Sequence, residues 1–257
     1  MNICLIGNNL TSLALAKNLI NKKIKVFIYY KKKNKFLETS RSIGISTNNI
    51  NFFNTSIMRI KKNLTWGINK IEIYTESSKE EKILNFEKKN EYLFSLVKND
   101  KLYKSLYLEL KKSKFLKYFL IKNDYFYKDI IKNKKFNMII NCETDNIINN
   151  KYFTNRINKN YDSFAYTSVI THQKKNNIKA TQIFTKLGPI AFLPISKSKT
   201  SIVFSIFKKK NNFKDDEIKR LIIEYNKDYE IKNFSDLQKF PLNFSSFKKY
   251  YYKNIMA

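Results

Sequence analysis

The sequence predicts a mixed α/β fold, α+β in its later part. Strand, helix and strand alternate at the start of the chain, whereas closely spaced strand candidates joined by short turns follow residue 150. A third observation is bulk: 257 residues, 43% of them hydrophobic, are enough to bury a core. No stretch approaches the roughly 18–20 uncharged apolar residues of a spanning helix. The apolar segment at Ile3 has no basic residues before it and reads as a strand rather than a signal peptide.

The opening "NICLIGNNLTSLALAKNLI" runs from Asn2 to Ile20. Its apolar run Ile3-Cys4-Leu5-Ile6 leads into Gly7, a helix follows over residues 10–21, and a second strand covers 24–30. That helix turns Leu13, Leu15, Ala16, Leu19 and Ile20 mainly inward. A basic loop over 31–39 precedes "RSIGIS", Arg41 to Ser46, and a short helix is expected over 48–54. Residues 68–74 alternate as a strand. Leu93, Leu96, Val97, Leu102, Leu106 and Leu110 show helical spacing, which predicts one or two helices within 90–119. Residues 136–142 read as a buried parallel strand ending in a polar loop.

Later strand candidates cover 163–171, 180–186, 189–195 and 201–207, an antiparallel meander. A helix over 215–226 follows, its Asp215, Asp216 and Glu217 suited to the positive end of the helix dipole.

The formal charge of +29 points at first to nucleic acid. Only Arg41, Arg59, Arg156 and Arg220 are arginines, however, and the lysines are spread along the whole chain. Base and phosphate recognition favours arginine's planar fork, so no specific nucleic-acid partner is expected. The excess of Lys, Asn, Ile, Phe and Tyr matches A/T-rich codons, and with few glycines it reads as compositional bias plus solubility. Such charge also brings attraction to anionic membrane surfaces. Cys4 and Cys142 lie in or at the end of apolar strands and read as buried, inert thiols in a reducing compartment. With His172 the sole histidine, a metal site has no support.

A dinucleotide fingerprint needs three small residues: one for the tight turn, one for approach of the pyrophosphate, one for helix–strand packing. Gly7 takes the first place, Asn9 the second and Ser12 the third. Asn tolerates unusual backbone geometry, although the Asn9 side chain is expected to crowd the phosphates. Tyr30 or Lys31 stands where an acidic residue holds ribose hydroxyls. On the pattern alone, a nucleotide turn and a plain β-α-β unit fit equally well.

"TSVITHQKKNNIKATQIFTKLGPIAFLPISKSKTSIVFSI", Thr167 to Ile206, resembles the sheet of the flavin-dependent aromatic hydroxylases of ubiquinone biosynthesis, the 2-polyprenyl-6-methoxyphenol hydroxylase group. Leu187-Gly188-Pro189-Ile190-Ala191-Phe192-Leu193-Pro194 carries the likeness most specifically. The fingerprint at Gly7, the phrase at Arg41–Ser46, the strand ending at residues 141–145 and "KFPLNF" at 239–244 follow in the same order.

The resemblance implies a Rossmann-like FAD-binding part over 1–150, interrupted near 66–76 by elements of the substrate domain. An antiparallel-sheet substrate domain over 151–245 would follow, and 246–257 would begin a return to the FAD-binding part. It implies that Gly7, Asn9 and Ser12 shape the FAD pyrophosphate turn and that Arg41 helps hold the phosphate region. Glu143 stands where the group has the aspartate of an Asp-Gly motif, with Thr144 in place of the glycine. Gly188, Pro189, Phe192 and Pro194 would line the substrate cavity, and no side chain would itself make or break bonds.

The implied activity is hydroxylation of a polyprenylated phenol with O₂ and NAD(P)H or another reductant. The setting would be cytoplasmic and peripheral to the inner membrane, with a ubiquinone-biosynthesis protein complex as partner. The group continues with a Gly-Asp motif beyond the point matching Ala257, so the chain is expected to be a fragment or the product of a truncated gene, weak in FAD binding alone. A degenerate relative serving as a binding or assembly partner is the alternative, and a basic nucleic-acid binder the third reading. Outside the resemblance, Arg41 reads as a surface residue, His172 as solvent-facing or packing rather than a base, Trp66-Gly67 as a turn, residues 250–252 as sheet packing, and the lysine runs at 31–33 and 208–210 as solvated loops.

Overall fold

The structure, a computed structural model, describes residues 1–31, 42–76, 82–207 and 213–257. Arg41, most of the loop at 31–39 and the lysine run at 208–210 lie outside the described residues.

Strand β1 (Asn2–Ile6), helix α1 (Leu10–Asn21) and strand β2 (Lys25–Tyr30) open the chain as the alternation predicts. β1 is the inner strand of a six-stranded sheet. It pairs parallel with β2 on one side and with β9 (Met138–Asn141) on the other. β8 (Leu116–Leu120) adds parallel to β2, β17 (Ile255–Met256) adds parallel to β9, and β16 (Tyr251–Tyr252) closes that edge antiparallel.

Side chains alternate across a strand, so β1 feeds two cores. Ile3 and Leu5, with Val26 and Ile28, pack against Leu13, Ala16 and Ile20 of α1 and against Leu102, Leu106 and Leu110 of α3 (Asn99–Lys111). Cys4 and Ile6, with Phe27, face Tyr127 and Ile130 of α4 (Tyr125–Lys132) and Ile148 of α5 (Ile147–Tyr152). Coverage on both faces is why β1 and β2 read as nearly continuous apolar runs.

The second layer is an antiparallel three-stranded sheet in the order β3 (Ser42–Ser46), β7 (Phe94–Lys98), β4 (Thr65–Ile68). Between β3 and β4 lies α2 (Thr47–Ser56), started by the Ser46 hydroxyl accepting from the Asn49 amide at 3.3 Å. Two sequence expectations are corrected here. Leu96 and Val97 belong to a strand rather than a helix. As neighbours in a central strand covered on both faces they are both buried, at 3% and 0% exposure, which erases the two-residue period. Trp66-Gly67 sits in β4, not in a turn, and the Trp66 indole donates to the Asn177 carbonyl at 2.6 Å.

The expected single strand over 68–74 is also divided. The chain leaves the small sheet at Asn69 and enters the third and largest as β5 (Lys70–Thr75), beside β6 (Leu84–Glu87). The order there runs β14 (Ile231–Phe234), β10 (Arg156–His172), β13 (Lys199–Phe207), β12 (Gly188–Ser196), β11 (Lys179–Thr185), β5, β6, and β15 (Gln238–Phe247) pairs with β10. Helix α6 (Asp215–Tyr225) buries Ile218 and Ile222 against Phe192, Ile202 and Phe204 on one face of this sheet. The other face meets the small sheet through Leu193, Ile195, Ile68 and Leu96.

Glu72 on β5 is buried at 3% exposure inside a cationic shell. Lys82 reaches one carboxylate oxygen at 2.6 Å, while Lys179 at 3.0 Å and the Tyr74 hydroxyl at 2.9 Å share the other. His172, 3% exposed, packs on the Tyr229 ring at 4.5 Å and bonds Thr200 Oγ1 at 3.0 Å, a packing role as expected. Among the described residues no helix is long and apolar enough to cross a membrane.

Candidate functional site

The turn from β1 into α1 holds Gly7 at φ +113°, a backbone region that disfavours any side chain. A Cβ at Gly7 would lie 3.0 Å from Glu143 Cγ and 3.5 Å from the Cys142 carbonyl carbon, so the turn stays narrow and backbone-lined. The Gly7 amide is held by the Tyr29 carbonyl at 2.7 Å, locking the turn to β2.

Asn9 caps α1 in a reciprocal box: its side-chain oxygen accepts from the Ser12 amide at 2.9 Å, and Ser12 Oγ accepts from the Asn9 amide at 3.0 Å. Asn9 Nδ2 donates to the Cys142 carbonyl at 2.6 Å. The side chain expected to crowd the phosphates is therefore spent on capping the helix and tying it to the end of β9. Ser12 is fully buried, as the packing position of the fingerprint requires. The result is a helix N-terminus behind a narrow turn, geometry suited to an anion.

Glu143 forms the wall opposite Gly7. Its Oε2 accepts from the Tyr127 hydroxyl at 3.2 Å and from Asn146 Nδ2 at 3.3 Å. Three buried asparagines fix the loop that carries it. Asn141 donates to Asn149 Oδ1 at 2.7 Å, Asn146 donates to Asn141 Oδ1 at 2.8 Å, and Asn149 Nδ2 holds the carbonyls of Glu143 and Thr144 at 2.8 Å each. Burial, then the Glu143 charge, keeps the Tyr127 phenol above its usual range, so it remains a donor. The same two causes push the Cys142 thiol up to about 11. At the end of β2, Lys31 pairs with Asp124 at 2.6 Å and lies 5.4 Å from the Tyr127 ring centre.

A cavity of about 610 Å³ opens between β3, the start of α3 and the faces of β10, β13 and β15. Ile43, Val169, Val203, Phe240 and Leu242 give it apolar walls. Ser42 and Asn99 also line it, and Ser42 Oγ and Asn99 Oδ1 are buried without a hydrogen-bond partner among the described residues. Orphaned buried polar atoms are costly, and two at one cavity leave hydrogen-bonding capacity open to a water or a ligand.

The other sequence-selected residues fall elsewhere. Gly188 (φ +135°) closes the tight β11–β12 turn, where an added Cβ would collide with the Ser205 carbonyl. Phe192 is 2% exposed on the α6 side, stacked near Tyr229. Pro189 pairs with Phe184 and Pro194 with Thr200 inside the sheet. None of Gly188, Pro189, Phe192 and Pro194 lines the 610 Å³ cavity. The alternation of β12 accounts for Gly188, Phe192 and Pro194, whose even-numbered positions share the α6 face with Ile190, whereas Pro189 belongs to the hairpin end of the opposite face. Sequence reading missed Ser42, Asn99, Tyr127 and the asparagine trio. Only the run "NCETDNIINN" at 141–150 carried a visible signal, a density of amides beyond what a loop needs.

No protein-family model matches the sequence, and no curated protein matches it. Solved structures do share its fold. PqsL of Pseudomonas aeruginosa, described as a probable FAD-dependent monooxygenase, superposes over 100% of this chain and 77% of its own with a TM-score of 0.76 at 9% identity. PqsL has also been determined in complex with 2-aminobenzoylacetate. The p-nitrophenol 4-monooxygenase PnpA of Pseudomonas putida DLL-E4 matches over 99% of this chain and 71% of its own, with a TM-score of 0.71 at 7% identity. The tetracycline destructase Tet(51) matches at a TM-score of 0.55 and 11% identity, over 99% of this chain and 73% of its own. The chain thus has the mixed α/β fold of FAD-dependent monooxygenases.

Proposed function

We propose that this chain is an FAD-dependent monooxygenase that hydroxylates an aromatic substrate. The observation that carries the reading is a pair of features on one shared fold: a narrow, backbone-lined turn at a helix N-terminus, and a separate cavity with two orphaned polar atoms. These residues fit FAD. Gly7 and the start of α1 would take the diphosphate, with Glu143 as the opposite wall. The Ser42 hydroxyl and the Asn99 amide suit a hydroxyl-bearing chain. When bound, the flavin supplies oxygen activation. The protein supplies orientation, a capped helix end and apolar walls that exclude water from the ring.

The finer reading is the sequence resemblance: a polyprenylated phenol of ubiquinone biosynthesis as substrate, NAD(P)H as reductant, and a lysine-rich surface in peripheral contact with anionic membrane. Arg41, next to the cavity residue Ser42, would hold phosphate. A binding or assembly role for a degenerate relative is favoured by one feature, the cation Lys31 at the place where ribose is held by an acid.

Titration of the purified protein with FAD, followed by flavin fluorescence and absorption, separates the two. Saturable binding, with NAD(P)H oxidation and O₂ uptake stimulated by a prenylated phenol, supports the enzyme. Protein that leaves flavin fluorescence unchanged at any concentration overturns it in favour of the degenerate relative.

A further inference from the structure

A second cavity of about 230 Å³ adjoins the first, and Val169 lines both. Its polar lining is Lys98, Thr171, Lys199, Asn233 and Ser235, with no carboxylate among the lining residues. Lys98 ends β7 and directly precedes Asn99, which lines the larger cavity and begins the 13-residue helix α3. Among the described residues no side chain caps that helix start. Lys199 begins β13 on the opposite sheet.

We propose that this side pocket is an anion subsite, and that the ligand of the cleft carries a carboxylate held by Lys98 and Lys199 while its apolar body occupies the larger cavity. The proposal rests on the proposed hydroxylase function, with the apolar walls of the larger cavity holding the substrate's ring beside the flavin.

Three arguments converge. First, two lysines converge on one small cavity without an acid in its lining, whereas the lysines around Glu72 surround a carboxylate. Second, burial lowers the Lys98 ammonium from its usual range and repulsion from Lys101 and Lys199 acts the same way, opposed by Asp100. An anion between the two lysines relieves that repulsion. Third, the uncapped start of α3 adds positive potential on the same side. The apolar walls next door select an anion attached to a hydrophobic body over a free inorganic ion. A carboxylate is small enough for 230 Å³ and accepts from ammonium, hydroxyl and amide donors together.

The test uses benzoate, its neutral isostere benzamide and inorganic phosphate as probes, measured by ligand-detected NMR and calorimetry on the full chain without FAD. Wild-type protein should bind benzoate about tenfold tighter than benzamide. Lys98→Met and Lys199→Met should each remove most of that preference and leave benzamide affinity unchanged. Thermal melts of both variants establish that they fold, and Lys101→Met, outside the pocket lining, should keep most of the preference. Equal affinity for benzoate and benzamide overturns the proposal, as does a preference that survives both pocket substitutions. Phosphate that displaces benzoate at equal or lower concentration assigns the pocket to a phosphate group and overturns the carboxylate. Because FAD is omitted, failure here is separate from failure of the flavin reading, which the FAD titration measures.

Discussion

Glu72 is where acid should strike this fold first. Burial alone pushes its carboxyl up, but hydrogen bonds from Lys82, Lys179 and Tyr74 outweigh it and hold the group at about 2 instead of the ordinary 4.5. A carboxyl depressed in the folded state adds stability above its unfolded value, and that stability is lost as pH falls through the folded value. At 1.36 kcal/mol per decade, the drop from 4.5 to about 2 is worth roughly 3 kcal/mol near neutrality. That is a large share of the typical margin of about 5–15 kcal/mol. Urea unfolding followed by circular dichroism, for wild type and Glu72→Gln from pH 7 down to pH 2, tests the reasoning. The variant should be less stable by roughly 3 kcal/mol at pH 7. The gap should shrink below about pH 4.5 and nearly close at about pH 2, where Glu72 becomes neutral in both states of the wild type. A gap that stays constant across this range refutes the argument, because the contribution would then not be ionic.

Two further outcomes follow from local geometry. Gly188→Ala should lower the melting temperature by about 5–20 °C, since positive-φ strain and the clash with the Ser205 carbonyl together cost about 2–6 kcal/mol. Gly44→Ala, whose added methyl would come no nearer than 3.4 Å to the Phe94 ring and 4.0 Å to Leu96, should shift it far less, and equal shifts in differential scanning calorimetry would contradict this reading. Neither cysteine should react with a chromogenic disulfide reagent at neutral pH in the native protein. Cys4 is fully buried and its thiol is pushed up by burial and by Cys142, while both thiols should react in denaturant.

The first thirty residues were legible because β1 and β2 are buried on both faces and α1 on one, so periodicity and burial agree. The four antiparallel strands after residue 150 were legible for a related reason: short turns such as that at Gly188 leave a residue-type trace. Leu96 and Val97 misled because a central strand in a small sheet shows the same apolar spacing as a helix. In the turn after β1, the positive φ of Gly7 and the burial of Ser12 were legible in the sequence, while the bond of Asn9 to Cys142 was not, since it reaches a residue 133 positions away. Gly188, Pro189, Phe192 and Pro194 form a conspicuous phrase, yet they serve the hairpin and the α6 face. The cavity instead draws on Ser42, Asn99 and Phe240, which come together only once β3, α3 and β15 have packed.

The position of β1 between β2 and β9 has a temporal side. Ile3 lies opposite Met138, so β1 leaves the ribosome 135 residues ahead of the neighbour it pairs with. At about 5–20 residues per second, that interval is about 7–27 s on the ribosome. For most of that time Cys4 and Ile6 lack α4, α5 follows only after β9, and the apolar strand remains open on one edge. Expression at lowered temperature, or with a holdase chaperone that shields nascent strands, is therefore the natural condition for obtaining this protein folded.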